Sequence, residues 1–248
     1  KENFWTKYIF SIDHKVIGIQ YGITSLLFLL FGFSLMLVMR WQLAYPDQPL
    51  PLVGWRLSPD MYNSFGAMHG TIMIFLGVVP VVVGAFGNYL VPLQIGACDM
   101  SFPKLNMASY WSYFIGGIVM LVGFILPGGA ASSGWTSYPP LSVFATMGQT
   151  VWLIGMIFLI LSSLLGSMNI IVTIVQLRAP GLTWMRLPFF IWAQLVTSFL
   201  LVLAFPPLQA AAIFQLMDRL AFTSFFMPSG LIIGGAATDY AGGGSPLL

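Results

Sequence analysis

Charge is what this sequence has least of. Only 6% of its 248 residues are Asp, Glu, Lys or Arg, where a soluble domain carries about 25%. That scarcity, with 58% hydrophobic residues and a mean hydropathy of +0.90, excludes a solvated globular domain and requires a chain that faces lipid. A net charge of +2 is too small to point to a nucleic-acid partner. Cysteine is nearly absent too. Cys98 alone excludes an intrachain disulfide framework and suits a small residue in a loop. There is no phosphate loop, no zinc motif and no nucleophile–histidine–acid constellation, and the serines have no base close in sequence. No cleavable signal peptide is visible: the first apolar run is too long for one, and aromatic residues (Phe4, Trp5, Tyr8) precede it. The first residue is Lys, so the reading expects a natural N-terminus further upstream. No internal repeat is visible.

What is present is a set of five apolar runs, near 17–40, 66–92, 106–127, 148–177 and 188–217. Each is long enough to cross a bilayer as a helix, which takes about 20 residues. The sequence thus predicts an all-α membrane protein, a bundle of about five transmembrane helices. Every charged residue lies between the runs or at their ends. Pro80 and Gly84 fall inside the second run, where neighbouring helices must cover the backbone. With the N-terminus inside, the inner segments hold Lys1, Lys7, Lys15, Lys104, Arg178 and Arg186. The outer ones hold only Arg40, Arg56 and Arg219 of the nine basic residues, which favours that orientation. The outer stretch 128–147 is uncharged and rich in Gly, Ser and Pro. The last stretch ends in GGGSPLL without a sixth span, so the sequence reads as part of a longer protein.

Polar residues at membrane depth are costly unless satisfied, so their pattern carries information. His69 stands in FGAMHGTIMIF (65–75) with no ionisable neighbour in sequence. Two readings stand: a histidine hydrogen-bonded to a neighbouring helix, or a ligand to a metal or heme. Gly66 and Gly70 beside it would let a flat macrocycle approach, and Met73 follows one turn on. In the third run Asn106, Ser109 and Tyr113 share a helical face. In the fourth, Ser162, Gly166, Asn169 and Thr173 do the same, with Ser163 beside them. The small residues in these ladders also suit close helix contacts. The amides of Asn106 and Asn169 need several partners each. Together with Asp99 in an inner loop, they suit a chain of waters. Ser162 lies on the order of 20 Å from the inner end of its helix, so such a chain would reach past mid-membrane. Arg40 closes the first run near the depth of His69, where it either snorkels to the interface or bonds a cofactor's polar edge. Trp135 and Tyr138 suit interface aromatics.

Six stretches resemble subunit I of the heme–copper oxidases, as in respiratory cytochrome c oxidases: SIDHKVIG (11–18), MHGTIMIF (68–75), FGNYLVPLQIGACDMSFPKLN (86–106), GWTSYPPL (134–141), SSLLGSMNIIVTI (162–174) and FFMPSGLIIGGAATDYAGGGSPLL (225–248). The resemblance covers essentially the whole chain. It implies that residues 1–248 are the N-terminal part of a subunit of about twelve helices. It also implies that the activity is O2 reduction to water coupled to proton pumping, with electrons from cytochrome c. A quinol-oxidising relative, or a non-redox transporter or scaffold bundle, is the alternative. By resemblance His69 is an axial ligand of a low-spin heme, Arg40 bonds that heme's periphery, and Tyr62, Met73 and Trp135 pack near it. Asp99 opens a proton-uptake path that continues through Asn88, Asn106, Ser109, Ser162, Ser163 and Asn169. The high-spin heme and copper, and the second axial histidine, are expected from the rest of the subunit, and this portion alone is expected to be inactive. The implied partners are that remainder, oxidase subunits II and III, cytochrome c or another respiratory complex, and lipid. The implied location is a bacterial plasma membrane with a cytoplasmic N-terminus.

Overall fold

The structure, a computed structural model, describes residues 3–51, 53–233, 236–237, 240 and 242–247. Apart from a two-residue antiparallel pair, β1 (Ile232–Ile233) and β2 (Ala236–Ala237), the regular structure is helical. Among the described residues, five helices are long and apolar enough to cross a membrane: His14–Ala44, Pro59–Ile95, Pro103–Ile125, Met147–Gln176 and Phe189–Leu220. They match the five apolar runs but extend beyond them at most ends. The extra turns are polar, so hydropathy misses them. The second span shows why: the Ser58 side chain accepts from the Met61 amide at 3.2 Å, Pro59 takes the first helical position and Asp60 sits in the first turn. Each of these favours a helix start.

The first span is α1 (His14–Ala44). The second is not uniform. It begins as α2 (Pro59–Thr71), passes through two π-helical segments, Ile72–Val78 and Pro80–Gly87, and ends as α3 (Asn88–Ile95). Two prolines explain much of this. Proline has no N–H, so Pro80 and Pro92 leave the carbonyls four residues earlier, on Leu76 and Asn88, without their helical donors. Both carbonyls are served from other helices. The Tyr113 hydroxyl donates to Leu76 O at 2.7 Å, and His14 Nδ1 to Asn88 O at 2.9 Å. Gln194 Nε2 donates to Val82 O at 3.0 Å within the second π segment. The span stops at Gly96, whose φ of 75° needs a residue without a Cβ.

The third span is α4 (Pro103–Val122), finished by a 3₁₀ turn at Gly123–Ile125. A short α5 (Leu141–Phe144) precedes the fourth span, α6 (Met147–Gln176). The fifth is α7 (Phe189–Leu220), with Pro206 and Pro207 inside it.

The chain divides into two compact units: residues 1–30, 73–115 and 158–208 form the first, and 31–72, 116–157 and 209–248 the second. The first unit thus collects one end of every span, and the second collects the other ends. In the first, Val91, Ile95, Met100, Ile170, Ile174, Leu187, Ile191 and Leu195 form a buried apolar cluster. Gly84 lets the Tyr21 ring seat against the second span: a Cβ there would lie 2.7 Å from Tyr21 Cδ1. In the second unit Met68, Ile72, Met120 and Leu153 are fully buried. Here Trp152 Nε1 donates to Thr71 Oγ1 at 3.0 Å.

Candidate functional site

In the second unit, α2 presents His69 to α1. His69 Nδ1 lies 2.8 Å from Gly32 O. A carbonyl only accepts, so Nδ1 carries the proton and Nε2 keeps its lone pair free. That is the arrangement by which proteins fix the tautomer and ring plane of a metal-ligating histidine. The ring is only partly buried. The geometry shows the first sequence reading, a histidine bonded to a neighbouring helix, through Nδ1 and not Nε2. A porphyrin carries its own four nitrogens, so one histidine per face meets its needs. Among the described residues no group of three or more His, Cys, Asp or Glu is gathered for a bare ion.

Three features of the surroundings bear on the candidate residues. A Cβ at Gly66 would meet Met39 Cε at 3.3 Å, and one at Gly70 would meet Trp135 Cδ1 at 3.1 Å, so both glycines make room for neighbouring side chains. Trp135 is accordingly held against the turn that carries His69. Secondly, Arg40 does not close α1, which runs on to Ala44. Arg40 stands eight residues beyond Gly32, roughly 12 Å further along the axis. It is exposed, and among the described residues it has no partner. Finally, Met73 falls in the first unit, so the site is built here without it. Tyr62, seven residues before His69, lines a surface hollow with Gln42, Leu57 and Asn63.

All the candidate proton-path residues lie in the first unit. Asp99 follows α3, and its Oδ1 accepts from the Met100 amide at 2.7 Å. Asn88 and Asn106 are buried. Asn88 Nδ2 donates to Gly84 O at 2.7 Å, but its Oδ1 has no protein partner, and neither end of the Asn106 amide has one. Buried amides left this way by the protein call for water. Ser109 on α4 and Ser162 on α6 meet across the helix pair, and Gly166 allows it: a Cβ there would be 3.3 Å from Ser109 Oγ. A cavity with about 40 Å³ open to water centres is lined by Tyr21, Asn88, Ser109, Ser162 and Ser163 among others. That is room for about two or three waters.

Asn169 and Thr173 bond the backbone just before α4. The Phe102 amide donates to Asn169 Oδ1 at 3.0 Å, Asn169 Nδ2 donates to Phe102 O at 3.2 Å, and the Ser101 amide donates to Thr173 Oγ1 at 3.0 Å. They hold the segment between Asp99 and α4.

Sequence reasoning missed three groups. Tyr21 is one: its hydroxyl lies 2.8 Å from Ser109 Oγ and 3.2 Å from Ser162 Oγ, at the wall of the cavity. A tyrosine in an apolar run gives no signal of this. His14 is buried, although charged neighbours surround it in sequence. The third is Asp218–Arg219, at the end of α7. Asp218 accepts from Thr223 Oγ1 and the Phe225 and Phe226 amides at 2.6, 2.9 and 2.8 Å. Arg219 donates to the carbonyls of Ser142, Val143, Ala145 and Thr146 and to Thr150 Oγ1 at 2.6–3.0 Å.

Helices able to span a membrane, with a small polar cavity and polar residues buried among them, are those of an integral membrane protein. Residues 16–241 match the family model described as Cytochrome C and Quinol oxidase polypeptide I, and the chain belongs to that family. It is 47% identical over 226 residues to cytochrome c oxidase subunit 1 of Thermostichus vulcanus, covering 90% of this chain and 40% of that protein. It is 44% identical over 224 residues to cytochrome c oxidase subunit 1 of Bacillus sp. (strain PS3), covering 90% and 35%. It is 41% identical over 251 residues to the alternative cytochrome c oxidase subunit 1 of Bradyrhizobium diazoefficiens, covering 99% and 41%. The chain thus spans about 40% of the length of the curated relatives it matches.

Proposed function

We propose that this chain, residues 1–248, forms the N-terminal membrane portion of the catalytic subunit of a respiratory terminal oxidase. In the complete subunit the reaction is reduction of O2 to water, coupled to proton pumping. The names of the relatives favour cytochrome c as electron donor. The family model also covers quinol oxidases, so donor assays must include both.

The observation that carries the reading is the His69–Gly32 hydrogen bond. His69 holds a low-spin heme iron through Nε2. The Nδ1–H bond orients the ring and raises its basicity. When bound, that heme supplies one-electron transfer toward the O2-reducing centre, whose high-spin heme and copper belong to the rest of the subunit. Trp135 packs beside the ligand turn. Arg40, exposed and without a described partner, supplies guanidinium donors for the heme's periphery, and Tyr62 lines the approach. Protons enter at Asp99, pass the Asn88 and Asn106 amides, and reach the Tyr21–Ser109–Ser162 cluster with Ser163 on the cavity wall. Asn169 keeps the entrance segment in place. The basic residues favour an N-terminus on the cytoplasmic side of a bacterial plasma membrane. Subunits II and III complete the assembly.

The test is a reduced-minus-oxidised spectrum of the full-length subunit. His69→Ala should remove the low-spin heme component while the protein still accumulates in the membrane. Full retention of that component would overturn the assignment. Turnover with reduced cytochrome c against a quinol then separates the two donor classes.

A further inference from the structure

The loop 177–188 joins α6 to α7 in the first unit, and neither the redox reading nor the proton path uses it. It is tied down at several points. The Ala179 amide donates to Ile95 O at 2.9 Å, Leu182 to Ala179 O at 3.0 Å, and Arg186 to Thr183 O at 3.0 Å. Leu187 is part of the buried apolar cluster. On this fixed base the Arg178 guanidinium lies 3.6 Å from the centre of the Trp184 ring. Trp192 sits 5.8 Å from Trp184, and its Nε1 donates to Trp184 O at 3.2 Å. Arg186 is exposed two residues from Trp184.

No acid offsets these two arginines. Between Asp99 and Asp218 the sequence contains no Asp or Glu. Among the described residues neither Arg178 nor Arg186 has an ion-pair partner, and Arg178 NH1 makes no hydrogen bond. A guanidinium held 3.6 Å over an indole has less side-chain entropy left to lose on meeting an anion, and its planar fork suits phosphate oxygens. Below this platform α7 carries an apolar stripe: Phe189 is 90% exposed, Trp192 37%, Val196 51%, Phe199 49% and Leu203 72%. Spacings of three and four residues keep these side chains on one side of the helix. From Phe189 to Leu203 the stripe runs about 21 Å, longer than one leaflet's share of a hydrocarbon core about 30 Å thick.

From this arrangement, we propose that the Arg178–Trp184–Arg186 platform and the α7 stripe form a binding site for an anionic phospholipid. The headgroup phosphate bonds the two guanidiniums, the tryptophans sit at headgroup level, and an acyl chain lies along Phe189 to Leu203. Paired arginines flanked by interfacial aromatics fit this ligand. A zwitterionic lipid would leave net positive charge on the platform.

The test uses the chain purified from membranes in mild detergent with the subunit it is assembled in. Phosphatidylglycerol or phosphatidylcholine is titrated in and bound lipid is counted by native mass spectrometry. Phosphatidylglycerol should be retained preferentially, and Arg178→Gln or Arg186→Gln should each weaken its retention about five-fold. Arg178→Lys should lose less, since it keeps the charge. Arg56→Gln, at an exposed arginine elsewhere, should change nothing. Equal retention of both lipids, or losses no larger than for Arg56→Gln, would overturn the proposal. So would displacement of the lipid by millimolar inorganic phosphate, which would mark a free-anion site, or crosslinks showing another protein segment over Trp184.

Discussion

Ser109 and Ser162 are hydrogen-bonded to each other's main chain in both directions. Ser109 Oγ donates to Ser162 O at 2.9 Å, and Ser162 Oγ donates to Ser109 O at 2.7 Å. Each hydroxyl has one proton, and each is committed to a carbonyl. The Tyr21 hydroxyl, with its own single proton, then donates to one serine oxygen, Ser109 Oγ at 2.8 Å being the nearer. This fixes the direction of the hydrogen bonds at the cavity wall and leaves the Tyr21 oxygen as an acceptor for water.

The pair is a helix clasp as well as a polar wall. Ser162→Ala should lower stability by about 0.5–2 kcal/mol, because it removes a buried hydrogen bond that joins the two helices. Ser163→Ala, at a neighbour that lines the same cavity but makes no described hydrogen bond, should stay within about 0.5 kcal/mol. Denaturant or thermal unfolding of the full-length protein in one detergent compares them. Equal losses would show that the reciprocal bonds contribute nothing.

The two ladder asparagines should separate. Asn106 makes no side-chain bond to protein, whereas both ends of Asn169 hold the Phe102 backbone. Asn106→Val should slow proton uptake with little change in unfolding temperature. Asn169→Val should first reduce stability and raise proteolytic cutting near residues 99–103. Reversed outcomes would reverse their roles.

Asp99→Asn in the complete oxidase should slow proton uptake several-fold while heme content stays near that of the parent. Flow–flash pH-indicator traces and the heme spectrum are read on the same sample. Loss of heme with otherwise unchanged turnover would show that Asp99 is structural and not the entrance.

Arg219→Lys keeps the charge but gives up the fork that reaches five acceptors. An ammonium has three donors and cannot span them. Stability should fall by about 2–4 kcal/mol, and the 140–147 region should become sensitive to protease before the rest. A loss below about 0.5 kcal/mol would mean that the carbonyls are served equally well without the guanidinium.

The spans were legible because a 20-residue apolar run has few alternatives in a bilayer. Their ends were not, since Ser58, Pro59 and Asp60 are polar yet helical. Helical spacing placed Ser109 with Asn106, and Ser162 with Gly166, on shared faces. It gave no hint that Tyr21, 88 residues from Ser109, completes the cluster. Spacing placed Asn169 on a polar face but could not report that its amide bonds the Phe102 backbone, because periodicity does not say which backbone a face meets. Nothing in the sequence marked His14 as buried, and Arg219 stood only as one of the basic residues of the outer segments. Only long-range packing reveals that one is buried against Asn88 O and the other gathers a loop.

The prolines of the second span bear on how the chain is built. Pro92 leaves a vacancy that an earlier residue fills, since His14 is already synthesised when Asn88 is made. The vacancy at Leu76 waits for Tyr113, which comes later in translation. The second span cannot reach its final bonded state until the third has emerged, which sets an order of assembly. A chain arrested between residues 95 and 112 would hold its second helix part matched, with the upstream partner His14 seated and the downstream partners Tyr113 and Gln194 still to come.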